Sequence, residues 1–196
     1  MKKREFNKSL RQICVLIMVV ILSFTFVACK DNDKQKSDET TQSIEEQTLK
    51  NFPKFTGKTL DGSKISNDIF KENDFTVVNF WATWCGPCVK ELPELQKISE
   101  EYKDKKVAVV GIVYDGQESG AIDIAKKILS EKKVKYKNII VDFDTALLKY
   151  MADDIVGVPT TVVVNNKGEI VGQQIVGTIE APEALKQLKA IIDNNK

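Results

Sequence analysis

Trp84-Cys85-Gly86-Pro87-Cys88 lies where one apolar pattern gives way to another, and that junction limits what the chain can fold into. Before it, Phe75–Phe80 is a run of β-branched and aromatic residues that predicts a buried strand. After it, Val89, Leu92, Leu95, Ile98 and Tyr102 recur at helical spacing, which predicts a helix over Val89–Tyr102. Cys85 falls near the helix N-cap, where unpaired N–H groups and the positive end of the dipole favour an anion. Its thiolate is stabilised there, and only a thiolate attacks disulfides. Cys88 lies one turn on, within reach of a short disulfide. Gly86-Pro87 suits a helix start, because proline lacks the N–H that would go unpaired at that point. A structural disulfide or half a zinc site would use the same two residues. Zinc needs further ligands, and the chain has no histidine and no second cysteine pair. The pair reads as a redox centre that needs neither metal nor cofactor.

Around this junction the patterns alternate. Phe55–Thr59 and Lys64–Ile65, joined through Asp61-Gly62, predict a hairpin, and Ser66 is a cap for a short helix at Asn67–Lys71. Lys106–Val113 predicts a second buried strand. Glu118–Lys132 is amphipathic, with Ile122, Ala125, Ile128 and Leu129 expected inward. A short strand at Ile139–Val141 and a helix at Thr145–Met151 follow. The strand Thr161–Val164 turns through Asn165–Gly168 into Glu169–Val176, and Ala181–Asp193 closes the chain as a helix. Strand–helix alternation followed by a hairpin and a helix implies an α/β domain, a central mixed sheet flanked by helices. Pro93, inside the active-site helix, is expected to kink it.

Ahead of this domain the composition changes. Lys2, Lys3, Arg4, Lys8 and Arg11 face Glu5 alone and precede the uncharged apolar run Ile13–Ala28, the arrangement of a secretory signal. The run ends Thr25-Phe26-Val27-Ala28-Cys29, which resembles a bacterial lipobox with Phe26 where an aliphatic residue is usual. Residues 1–28 therefore read as a lipoprotein signal peptide. Residues 29–50 read as a lipidated Cys29 followed by a flexible polar tether, and residues 51–196 as the folded domain. An uncleaved anchor is the alternative, and either outcome places the domain outside the membrane. Cys14 would leave with the leader, so only Cys85 and Cys88 remain to pair. With a net charge of +1 overall, no excess calls for nucleic acid.

The cysteine motif extends to Trp84-Cys85-x-x-Cys88-x-x-Glu91-x-Pro93, and Gly157-Val158-Pro159-Thr160 follows after a long insert. Together these resemble the TlpA/ResA-like extracytoplasmic thioredoxins, over about Phe52 to the C-terminus. The resemblance implies a thioredoxin-like fold with an N-terminal hairpin and a helix–strand insert, Asp115–Asp142, before a cis-proline at Pro159. It implies that Cys85 attacks substrate disulfides and Cys88 resolves them. Gly86 and Pro87 would lie in the substrate-binding surface, Trp84 at its rim, and Val158 would offer main-chain groups to an extended substrate segment. Asn79 stands where thioredoxins carry a buried aspartate, so Glu91 is expected to supply the missing acid/base function, with burial raising its pKa. Trp81 is expected in the core. Thr83 and Thr160 are read as packing or capping residues, and Gly172 and Gly177 as strand features. Implied partners are protein disulfides, such as apocytochrome c, and an integral-membrane thiol electron donor, with the domain a monomer. A disulfide-forming oxidase or isomerase uses the same parts, and a thioredoxin-like peroxidase or a copper(I) chaperone is the alternative from another class. The peroxiredoxin Pro-x-x-x-Thr-x-x-Cys context is absent, copper delivery lacks a histidine ligand, and Val89 after Cys88 excludes a c-type haem site.

Overall fold

The computed structural model describes residues 50–143 and 145–195. The leader, Cys14, Cys29 and all of the tether except Lys50 lie outside the described residues. Seven strands form one sheet in the order β2-β1-β5-β4-β3-β6-β7. They are β1 (Thr56–Thr59), β2 (Lys64–Ser66), β3 (Phe75–Trp81), β4 (Val107–Val113), β5 (Lys137–Val141), β6 (Thr160–Asn165) and β7 (Ile170–Val176). β3 runs parallel to β4, and β4 to β5. The remaining pairings are antiparallel. Four helices accompany them: α1 (Gly86–Glu101), α2 (Ala121–Glu131), α3 (Ala146–Asp153) and α4 (Pro182–Asn194).

β3 is buried at all seven positions, as a central strand covered on both faces must be. Its alternation sorts the core. Phe75, Val77 and Trp81 join Leu92, Leu95 and Ile98 of α1 and Leu188 and Ile192 of α4. Val78 and Phe80 pack on the other face with Phe52, Phe55, Phe70 and the α3 residues Leu147, Tyr150 and Met151. Asn79, midway along β3, therefore points into the α1 layer. The expected hairpin forms, with Gly62 at φ +93° in its turn. The Asp115–Asp142 insert supplies α2 and β5.

Two expectations shift. Ile122 is 39% exposed rather than inward. Gly120, at φ +80°, caps α2 so that it starts at Ala121, and the buried stripe runs Ala121, Ala125, Leu129 at i, i+4, i+8. Ile122 lies one residue, about 100°, around from it. α1 starts at Gly86, earlier than its apolar spacing alone marks. It also runs unbroken through Pro93 to Glu101, so the missing N–H does not end the helix.

Trp81 Nε1 donates to Asn138 Oδ1 at 2.9 Å, linking β3 to β5 across β4. Gly111, the β4 residue between them, makes room. A Cβ there would stand 2.0 Å from Asn138 Oδ1 and 3.0 Å from Trp81 Nε1. Gly111→Ala should break that buried bond and cost about 2–4 kcal/mol in urea denaturation, leaving the cysteine chemistry intact. Unchanged stability would show that Asn138 moves aside freely.

Candidate active site

Cys85 is the N-cap of α1, and its sulfur accepts from Cys88 N–H at 3.2 Å. Pro87 stands in the first turn, where its missing donor costs nothing. Cys85 and Cys88 are joined as a disulfide with Cα atoms 5.2 Å apart. Gly86 and Pro87 are exposed, whereas Cys88 is fully buried and Cys85 is 5% exposed. The sulfurs thus meet solvent only through Cys85. Trp84 beside them is 66% exposed, an uncommonly open position for so large an apolar side chain. Trp81 is fully buried, as expected.

The strand β6 brings the second motif to the pair. The Val158–Pro159 bond is cis, Pro159 is buried, and Val158 O lies 3.6 Å from Cys85 Sγ. Thr160 Oγ1 donates to Gly157 O at 2.7 Å, which ties down the loop before the proline and gives Thr160 the capping role expected of it. The fold therefore places Cys85 beside Val158 and Pro159, with Cys85 and Val158 73 positions apart in sequence.

Glu91 follows Cys88 by three residues on the buried side of α1. Its carboxylate is fully buried. Oε1 accepts from Asn79 Nδ2 at 2.9 Å, and Oε2 accepts from Ile179 N–H at 2.8 Å. Asn79 Nδ2 also donates to Thr161 Oγ1 at 3.1 Å, while Asn79 Oδ1 has no partner. Burial raises the Glu91 pKa above its ordinary value; the Ile179 N–H, the Asn79 amide and the Thr178 hydroxyl pull it back, and the Glu180 charge adds to the rise. A buried carboxylate one turn from a buried cysteine can hold or accept a proton there.

Asp115, which sequence reasoning passed over, sits just beyond β4. It is 5% exposed and accepts from Thr83 N–H at 3.1 and 3.3 Å and from Thr83 Oγ1 at 2.5 Å. This anchors the loop that carries Trp84 and Cys85. The available signal was its place at the C-terminal end of a parallel strand adjoining β3, where α/β sheets gather functional groups. Asp115→Ala should strand the Thr83 donors, costing about 2–3 kcal/mol and slowing disulfide exchange about tenfold. Wild-type exchange rates in the variant would show that the loop holds its shape unaided.

A family profile described as Redoxin matches residues 47–191. The chain is 34% identical over 146 residues to the thioredoxin-like protein YneN of Bacillus subtilis, covering 69% of this chain and 75% of that one. It is 30% identical over 169 residues to the thiol-disulfide oxidoreductase ResA of Bacillus anthracis, covering 85% and 86%. A crystal structure of a thiol:disulfide interchange protein DsbE from Chlorobium tepidum superposes with a TM-score of 0.61 at 24% identity, over 75% of this chain and 96% of that one. This last likeness shows the thioredoxin-like fold. With two cysteines bridged at a helix N-cap and relatives of that breadth, the chain belongs to the Redoxin family, in its TlpA/ResA-like branch, and is a thiol-disulfide oxidoreductase.

Proposed function

We propose that the protein is a membrane-anchored, extracytoplasmic reductant of protein disulfides, held by lipid on Cys29 through the polar segment that precedes the domain. The observation that carries the chemistry is the Cys85 sulfur at an α1 N-cap, with Cys88 N–H on one side and Val158 O on the other. In the reduced protein, Cys85 thiolate attacks a client disulfide. A Cys85–client bond forms, the client S–S bond breaks, and one client sulfur leaves and takes up a proton. Cys88 then gives its proton to Glu91 and attacks Cys85. The intramolecular disulfide forms, the second client sulfur departs as a thiolate that takes up a proton, and two electrons have passed to the client.

Val158 main-chain groups and the exposed Trp84, Gly86 and Pro87 form the docking surface, which favours extended backbone over particular side chains. Re-reduction requires a thiol donor in the membrane, because soluble cytosolic reductants do not reach this side. Gly-Pro between the cysteines matches reducing thioredoxins at about −270 mV rather than the oxidant DsbA near −120 mV. Equilibration of the protein with glutathione buffers tests the direction. A potential below about −200 mV is expected, and one above about −150 mV would make the protein an oxidase or isomerase instead.

A further inference from the structure

Lysines crowd the end of the domain that lies farthest from the cysteines. Segments 103–106 and 131–137 hold seven lysines against Asp104 and Glu131, and Glu72, Asp74 and Asp193 stand at the same end beside Lys137, Lys106 and Tyr102. α1 leads away from the cysteines and ends at Glu101, just before the first segment, and β4 starts directly after it. α2 runs the same way, and the second segment carries the chain from its end into β5. Lys135 N–H donates to Gln96 Oε1 of α1 at 2.7 Å, which holds the second segment against that helix. Lys103, Lys105, Lys106, Lys133, Lys135 and Lys137 are exposed. Lys137 has Glu72 at 3.7 Å, and Lys105 lies 4.4 Å from the Tyr102 ring centroid.

The chain enters the fold at this same end. Ile170 N–H donates to Lys50 O and Phe52 N–H to Gly168 O, both at 2.8 Å, beside the β6–β7 turn. That turn stands level with the start of β3, since Phe75 pairs with both Asn165 and Val107. The Cys85 end of β3, at Trp81, is six residues on, roughly 20 Å away.

Backbone conformation adds an independent observation. Lys106 (φ 53°) and Lys133 (φ 55°) are the non-glycine residues with positive φ among those described. Glycine is favoured at such positions after a helix, yet both carry lysine. Helix-dipole complementarity accounts for cations near a helix C-terminus. It does not account for Lys135 and Lys137, which lead into a strand.

We infer that this lysine face is a docking surface for anionic lipid headgroups, seating the domain on the bilayer with its redox pair turned away. The inference rests on the proposed membrane anchoring: a tether leaving from the basic end keeps these ammonium groups near the headgroup phosphates, where clustered lysines bind. Reduction by a membrane donor then requires the domain to lift or roll, so anionic lipid should slow re-reduction.

The test uses the full chain in vesicles of phosphatidylcholine, alone or mixed with phosphatidylglycerol, read by amide hydrogen exchange. Exchange in 103–106 and 132–137 should slow about fivefold on the anionic vesicles only, and recover in high salt. Lys106→Gly with Lys133→Gly, which suits the left-handed backbone and so preserves the fold, should remove most of that protection. Flotation with both vesicle types but no lipid-dependent protection overturns the docking surface and leaves the anchor standing. Flotation with the anionic vesicles alone overturns the anchor and supports the surface, and flotation with neither overturns both. Protection that requires an added acidic protein and is absent on vesicles overturns it.

Discussion

Cys88→Ser is expected to hold clients as mixed disulfides on Cys85 and to lower steady-state turnover by about 10³-fold or more, because the resolving thiol is gone while the attacking one remains. The two sulfurs are separated by burial as well as by sequence. Cys88 is fully covered and Cys85 retains the exposed edge, so an incoming disulfide meets Cys85 first. Cys85→Ser should fall as far and trap nothing. Non-reducing gels of the two variants after exposure to oxidised client read the difference directly. Adducts that form through Cys88 in a Cys85→Ser background would reverse the assignment.

Glu91→Gln should change two things in opposite directions. Burial raises this carboxyl above its ordinary value of 4.5. Between that value and the raised one, the folded chain holds a proton that the unfolded chain has released. The stability contributed by Glu91 is therefore fully present below 4.5 and is lost as pH rises through the raised value. Glutamine removes this loss, so the variant should be the more stable protein in urea at neutral pH, with the gap closing toward pH 4. Asn79 can accommodate it. Its Oδ1 lacks a partner, and rotating the amide would present that oxygen to the new Nε2. Disulfide exchange should meanwhile slow by about 10²-fold and lose the ionisation of Glu91 from its pH profile. Matching pH–rate curves for the two proteins would exclude Glu91 from proton transfer.

Much of this arrangement could be read from residue order because it is local. The cysteine spacing, the apolar strand before it and the helical repeat after it all act within a few turns, and they agree. Pro159 became legible only through resemblance, since an X-Pro bond is trans by default and nothing within a few residues marks Val158–Pro159 as cis. Thr161 and the Ile179 N–H were not legible, and for Asp115 its place after β4 was the one signal. Each acquires its role by meeting a group 32, 82 or 88 positions away. Ile122 misled for a different reason. The expected inward set already held Ala125 and Leu129, and at the first turn the larger Ile122 outweighed Ala121, the smaller residue that the packed helix buries.

The entry of the chain beside the β6–β7 turn has a practical consequence. Anything joined at Lys50, whether a resin, an electrode or a fusion protein, attaches about a strand's length from the sulfurs and leaves their approach open. A carboxy-terminal attachment departs from the end of α4, where Asp193 accepts from Tyr102 Oη at 3.1 Å just past α1, at that same end of the domain. For surface-bound electrochemistry on this domain, linkage at Lys50 and linkage at the end of α4 both leave clients an unobstructed path.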